Sequence, residues 1–442
     1  MKSPDIGRHS RGSMLTAARS MCAAVLLVAG LGSAHAQDVG DFDLLIHDTR
    51  GGDTISITDT PGYGEFNAGF SPNGMTLVHE VIEGAPPFPA FLALTDVDSG
   101  ISVPLPGGDG GNDAMYSPNG QYIAFDRLNA SDPSIYLLPA VGGTPTLLRP
   151  LGLAPAWSNN SRRIAFLDIT DGSIRTIDVK TGEETNLGEA GVFGDFPDWS
   201  PNGKWIAYQT FGGDLRAIRV NEQGEPLGEP IIVTFGASFD GAPSWSNNSK
   251  TIVFNSDRDS GEVDLWTVNI AEVQPPPECG VEDSGNDPAE AYGVPVFLRG
   301  SMNDWAANDA SMFVNQGSGI YEVEILLPDG GSFFKVASAD WVAADFAPVN
   351  PVELDVPQVM VPAPGGNPTG FIDVAAPGCY RFVMDASNTA APILVATEVA
   401  TTDLIGAPAT RLTGAPGSVD ADPAYSNNGR YVVYSAGTVS GP

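Results

Sequence analysis

The sequence predicts an all-β protein, a six-bladed β-propeller closed by both termini, with a further domain inserted in blade five. Three observations carry that expectation. One turn phrase recurs six times, at a period in the low forties that marks a propeller or solenoid. The two ends of the chain each supply half of one repeat, and one interval between phrases is far too long. The phrase is an aromatic, Ser, Pro or Asn, Asn, then Gly or Ser. It reads Phe70-Ser71-Pro72-Asn73-Gly74, Tyr116-Ser117-Pro118-Asn119-Gly120 and Trp157-Ser158-Asn159-Asn160-Ser161. It returns at Trp199-Ser200-Pro201-Asn202-Gly203, Trp245-Ser246-Asn247-Asn248-Ser249 and Tyr425-Ser426-Asn427-Asn428-Gly429.

Each part of the phrase has a conformational job. Pro presets φ, Asn tolerates the bridge or left-handed region, and Gly closes the turn without a Cβ clash. The run that follows, such as Tyr122-Ile123-Ala124-Phe125, is short, aromatic and β-branched, as a buried strand reads. A second strand-like run follows each of the first five phrases, at 91–97, 134–140, 173–179, 215–221 and 264–270. A weaker fourth comes after it, as in TPTLLR or PIIVTF. Four short antiparallel strands make one propeller blade. Helical periodicity is confined to the extreme N-terminus.

The serines of the phrase are 46, 41, 42, 46 and then 180 residues apart. One repeat of about 44 residues leaves about 136 over, which is an insertion rather than missing blades. The break falls after Ile270, and the fourth strand of blade five is expected to resume at Ala409-Thr410-Arg411-Leu412-Thr413. The last phrase supplies two strands. FDLLIHD (42–48) and DTISITD (53–59) supply the two it lacks, so pairing the ends would remove two free sheet edges. The expected division is 1–36 as a signal peptide and 37–270 as blades one to five plus the N-terminal strands of blade six. The insert takes 271–406, and 407–442 ends blade five and begins blade six.

Residues 1–36 carry Arg8, Arg11 and Arg19, an apolar stretch from Cys22 to Leu31, and Ala34-His35-Ala36 before Gln37. That is the pattern of a secretory signal peptide, and the expectation is a periplasmic or secreted protein. The apolar run is too short to span a bilayer, so no membrane insertion is expected. Removing the segment moves the net charge from −33 to −36. So acidic a surface argues against nucleic acid and anionic membranes as partners. Two cysteines then remain, Cys279 and Cys379, near the two ends of the insert. In an oxidising compartment they are expected to form one disulfide.

At the six phrases the chain resembles the TolB-type propellers, whose repeat is usually written W-S-P-D-G, followed by a strand and a D-L-Y-V-M-like strand. Asn255-Ser256-Asp257-Arg258-Asp259-Ser260-Gly261 before Asp264-Leu265-Trp266 is close to that pattern. The resemblance covers about 41–270 and 407–442. Asn replaces the usual Asp in every copy, and no counterpart of that family's separate N-terminal α/β domain is legible. The resemblance implies the fold and the binding of partner peptides at one end of the central channel.

The insert resembles a second family, the immunoglobulin-like starch- and glycogen-binding modules of pullulanases. The match runs from Val296-Phe297-Leu298-Arg299-Gly300-Ser301-Met302-Asn303-Asp304-Trp305 through Gly319-Ile320-Tyr321-Glu322-Val323 and Phe333-Phe334-Lys335-Val336-Ala337. It continues to Ala339-Asp340-Trp341 and the closing strand from Cys379 to Asp385. That likeness implies a β-sandwich. Its sugar platform would map onto Trp305, Lys335 and Trp341: an indole covers the apolar face of a pyranose, and an ammonium donates to hydroxyls.

Enzyme chemistry finds little purchase. His47 and His79 are the histidines after residue 36 and fall in different blades, with His79 expected at the end of a strand. No G-x-S-x-G elbow occurs. The Asp-rich turns 96–100 and 257–261 lack the spacing of a calcium loop, and GGDGGND (107–113) lacks the Lys and helix of a phosphate loop. Neither a metal nor another cofactor is expected. Trp157, Trp199 and Trp245 are expected to pack between blades. The leading expectation is an exported, non-enzymatic binding or scaffold protein whose partner is a periplasmic or cell-envelope protein or peptide. An α-glucan binder acting through the insert is the alternative, and a propeller enzyme of unknown type the third.

Overall fold

The structure is a computed structural model that describes residues 41–438. Excepted are 51–53, 84–89, 128–132, 189–194, 211–212, 237, 260–261, 274–278, 283, 304–306, 329, 365–368, 402–406 and 415–417. The signal-peptide segment 1–36 and Trp305 lie outside the described residues. The chain divides into two compact units. One takes in the described residues up to Val233, Ser238–Ala271 and those from Pro408 onward; the other takes in Thr234–Ala237 and Glu272–Ala407.

The first unit is all-β. Four separate four-stranded sheets and one of eight strands make it up. The eight-stranded sheet is two four-stranded groups in edge contact, joined by the parallel pairs Asp41↔Tyr63 and Phe42↔Gly64. One group is Tyr63–Phe70, Thr76–Glu83, Ala90–Asp96 and Ser102–Asp109. The other combines Ser418–Tyr425 and Tyr431–Thr438 with Asp41–Asp48 and Thr54–Ser56. Seven consecutive antiparallel pairs, Phe42↔Gly437 to Asp48↔Tyr431, tie the two ends of the chain together.

In the remaining sheets the first strands are Gly111–Tyr116, Gly152–Trp157, Asp195–Trp199 and Asp240–Trp245. Each first strand packs beside the first strand of the next group. Asp240–Trp245 packs on Ser418–Tyr425, which in turn packs on Tyr63–Phe70 and completes the cycle. The group begun by Asp240–Trp245 draws its fourth strand from far along the chain. Ala409–Arg411 pairs with Asp264–Asn269 through Trp266↔Arg411 and Val268↔Ala409. Buried Asp264 accepts a hydrogen bond from the Arg411 guanidinium there.

Apolar cores lie between neighbouring groups. Val78, Leu92, Ile123 and Phe125 share one, and Ala124, Ile164, Phe166 and Ile177 share the next. Both faces of a second strand are therefore covered, which is why Arg163–Asp168 is buried at every position and its centre, Ile164 to Leu167, reads as a continuous apolar run. His79 departs from expectation here. It lies inside the strand Thr76–Glu83 with no exposure. Its Nε2 is 2.7 Å from Thr95 Oγ1 and its Nδ1 3.2 Å from the Glu80 carbonyl. Burial lowers its pKa to about 4.

The second unit is also β, with eight strands in one hydrogen-bonded path and a ninth, Gly370–Val374, paired off it to Gly330–Ser338. Phe313, Tyr321, Phe334, Phe382, Met360 and Met384 fill its core, each without exposure. Cys279 and Cys379 are disulfide-bonded across 100 residues of chain. Among the described residues, three 3-10 turns are the helical content of the whole molecule: Ile270–Glu272, Ser301–Asn303 and Asp309–Ser311.

Candidate functional site

The six first strands converge on a common cavity, and each is deformed at one place. Register shifts occur at Phe66/Gly69, Asn112/Met115, Leu153/Ala156, Asp195/Asp198, Gly241/Ser244 and Ala421/Ala424. Each is a β-bulge with one residue in the left-handed region. These are Asn67 (φ 52°), Asp113 (47°), Ala154 (48°), Phe196 (45°), Ala242 (47°) and Asp422 (52°). Each stands four residues before the serine of its turn phrase. Asn and Asp tolerate this backbone; Ala and Phe in it carry strain of about 1–2 kcal/mol. A bulge bends its strand and re-aims the side chains around it, and here all six do so at the same level.

Those residues and their successors line a cavity of about 100 Å³. Its wall is divided. Asp422, Asn67 and Asp113 come from three consecutive first strands; Ala154-Pro155, Phe196-Pro197 and Ala242-Pro243 come from the other three. Behind the polar half stands Glu80, 7% exposed, whose Oε2 accepts a long hydrogen bond from Asn67 Nδ2 at 3.4 Å. Burial pushes the carboxyl pKa of Glu80 up to about 8, with Asp126 and Asp422 adding repulsion. It pushes Asp422 and Asp198 up to about 7. Asp198 has a partner, since its Oδ2 accepts the Trp245 N–H at 2.8 Å. Asp422 Oδ2 is shielded from solvent and accepts no hydrogen bond.

A second cavity of about 260 Å³ follows, sharing Gly69, Met115, Asp198, Ser244 and Ala424 with the first. Its wall carries the aromatic residue of every turn phrase: Phe70, Tyr116, Trp157, Trp199, Trp245 and Tyr425. In each first strand the residues of the first cavity precede those of the second, so the two are consecutive stretches of one channel. The tryptophans are buried, as expected of residues packed between groups, yet they also line this wall. Trp157 Nε1 and Trp245 Nε1 donate to the carbonyls of Met115 and Asp198, each at 3.2 Å. Trp199 Nε1 is buried and has no acceptor.

In the second unit, Lys335 is 3% exposed. Its ammonium lies 3.0 Å from Asp345 Oδ1 and 2.5 Å from the Ala363 carbonyl. A charge buried this deeply requires such partners, and it has no direct reach to a hydroxyl at the surface. Trp341 stands beside it, with the Lys335 ammonium 5.9 Å from the centre of its indole, in a turn whose carbonyls at Ser338 and Ala339 accept from Arg299 Nη1. The Arg299 guanidinium carbon is 3.9 Å from the centre of the indole. Trp341 has φ 59°, a conformation that is an outlier for so bulky a residue. Arg299 is the group that holds this turn. It stands opposite Lys335 on the neighbouring strand.

No family model matches the chain. An uncharacterized protein of Agrobacterium fabrum is 31% identical over 151 residues, which is 33% of this chain and 50% of that one. An α-amylase of Niallia circulans is 31% identical over 143 residues, 31% of this chain and 10% of the amylase. The chain thus spans half or less of the curated relatives it matches. Among solved structures, a TolB candidate from Agrobacterium tumefaciens aligns at a TM-score of 0.44 and 22% identity, over 52% of this chain and 86% of that one. TolB from Acinetobacter baumannii aligns at 0.42 and 14%, over 53% and 62%. Both scores fall below 0.5, so the all-β assignment rests on the sheets themselves. Among the described residues no helix is long and apolar enough to cross a membrane.

Proposed function

We propose that this chain is an exported, non-enzymatic binding protein: a six-bladed propeller closed by both termini, with an inserted immunoglobulin-like sandwich. The propeller grips a protein or peptide partner of the cell envelope in its central channel. The observation that carries this reading is the channel. Six bulges aim side chains into it, three of them strained at Ala154, Phe196 and Ala242, and strain of this kind clusters where a ligand is held. Capture from periplasmic extract tests it. A stoichiometric partner is expected on the wild-type chain and is lost with Phe196→Ala, which removes a ring from the channel wall. A clean negative at both low and high salt, or a partner indifferent to that change, defeats the reading.

A second reading has its own support. Trp341, with Arg299 stacked at 3.9 Å, would offer an indole and a guanidinium to an α-glucan, and the local likeness to an α-amylase favours it. Affinity electrophoresis in glycogen decides the matter: retardation that Trp341→Ala removes supports it, and no retardation of the wild type removes it.

A further inference from the structure

The geometry points to an anchor group for the channel: a lysine or arginine side chain of a peptide, whose cation meets Asp422 and Asp113 while its backbone lies among the aromatic residues. This rests on the channel reading above and names the chemistry that fills it.

The argument starts from the divided wall of the first cavity. Asp422, Asn67 and Asp113 form one side of it, with Glu80 behind them. Inside a protein a carboxylate held without a partner is costly, and Asp422 Oδ2 is shielded and accepts no hydrogen bond. A cation brought to that oxygen would satisfy it and favour its ionised form. The opposite side is Ala154, Pro155, Phe196, Pro197, Ala242 and Pro243. That surface suits an aliphatic stem; the polar residues the same strands add, Ser244 and Asp198, lie toward the second cavity, and Asp198 already accepts the Trp245 backbone N–H at 2.8 Å. A hydrated inorganic ion would have its shell pressed against proline and phenylalanine on half of its circumference.

Size narrows the class further. The cavity is about 100 Å³, where a single water needs roughly 10–15 Å³ of such space. One extended side chain fits; a helix or hairpin does not. The second cavity, about 260 Å³ and ringed by the six aromatics, supplies a different demand. Trp199 is 6% exposed and its Nε1 has no acceptor, whereas Trp157 and Trp245 each reach a carbonyl. A buried N–H of this kind needs an acceptor, and a peptide carbonyl is one. Cation, stem and carbonyl in that order along one axis describe a basic residue within a peptide chain.

The test uses the chain from Gln37 onward and calorimetric titration with Ac-Ala-Lys-Ala-NH2. The arms are its arginine, acetyl-lysine, norleucine and glutamate counterparts and n-butylammonium chloride. The lysine and arginine peptides are expected to bind at least tenfold more tightly than the other peptides. Asp422→Asn should cut lysine-peptide affinity about tenfold, and Trp199→Phe, which keeps an aromatic ring and loses the N–H, should weaken it too. Equal binding of the lysine and acetyl-lysine peptides overturns the proposal with the wild-type protein alone, so it does not depend on any variant folding. n-Butylammonium binding as tightly as the lysine peptide assigns the site to a free amine and overturns the peptide. A partner captured from extract whose binding survives a folded Asp422→Asn leaves the channel reading standing and removes this anchor. Lysine-peptide binding with no partner captured does the reverse.

Discussion

At the scale of single residues, the turn phrase shows why Asn serves at its fourth position. In all six copies the serine Oγ donates to Asn Oδ1. The same oxygen accepts the backbone N–H two residues on, as in Lys204 N to Asn202 Oδ1 at 2.9 Å. The serine Oγ then accepts a strand N–H, as in Trp205 N to Ser200 Oγ at 2.9 Å. The side chain acts inside its turn as an acceptor only, and an aspartate does that equally well. Asn202→Asp is therefore expected to change stability by less than about 0.5 kcal/mol. Ser200→Ala, which breaks two bonds at a buried site, should cost about 1–3 kcal/mol. Urea midpoints measure both; equal midpoints for the two variants would refute this account. The phrase was legible because its chemistry is local. The left-handed bulges four residues earlier were not, because Ala154, Phe196 and Ala242 give no local reason to adopt that backbone. An alignment of the six repeats on their serines was the one signal that could have exposed them.

Among elements, pairing across long sequence distances is what the chain had to solve. The returning strand Ala409–Arg411 is short, and three backbone pairs alone hold a strand weakly. Arg411 adds a hydrogen-bonded ion pair to Asp264, whose side chain is 1% exposed. Burial raises the Asp264 pKa, and Arg411 opposes that shift. Arg411→Ala would leave the carboxyl buried without its cation, a change worth about 1–3 kcal/mol. The expected readout is faster hydrogen exchange at Leu265 and Leu412, whose N–H groups lie in this joint. Exchange unchanged from wild type would show that the strand does not depend on the pair. The sequence indicated where this strand resumes, because Ala-Thr-Arg-Leu-Thr supplies the strand its repeat still lacked. It could not indicate the latch, since nothing in the spacing of 264 and 411 links them.

For the whole molecule, the two compact units carry separate cores, and the disulfide belongs to one of them. Closing a loop of 100 residues removes about 4.7 kcal/mol of unfolded-state entropy in the chain model. Cys379→Ser is thus expected to lower one calorimetric transition and leave the other in place. A common shift of both would mean that the units unfold as one. The candidate sugar face shows what motif matching leaves to the fold at this scale. The likeness proposed Trp305, Lys335 and Trp341 as one platform. The fold encloses Lys335 against Asp345 and Ala363, keeps its ammonium 5.9 Å from the centre of the Trp341 ring and sets Arg299 against that ring; Trp305 lies outside the described residues.

By itself the sequence determined the β class, the count of six repeats, the place of the long interruption and the complementarity of the two ends. All of these follow from turn chemistry and strand patterning, which act over a few residues and repeat. Only the tertiary structure decided what the first strands do together: which three bring polar groups to one side of the channel, and which indole is left with an unmet N–H. Those properties arise between strands some 40 residues apart or more. Burial and hydrogen bonding there depend on what the neighbouring strand presents, and no single repeat encodes its neighbour.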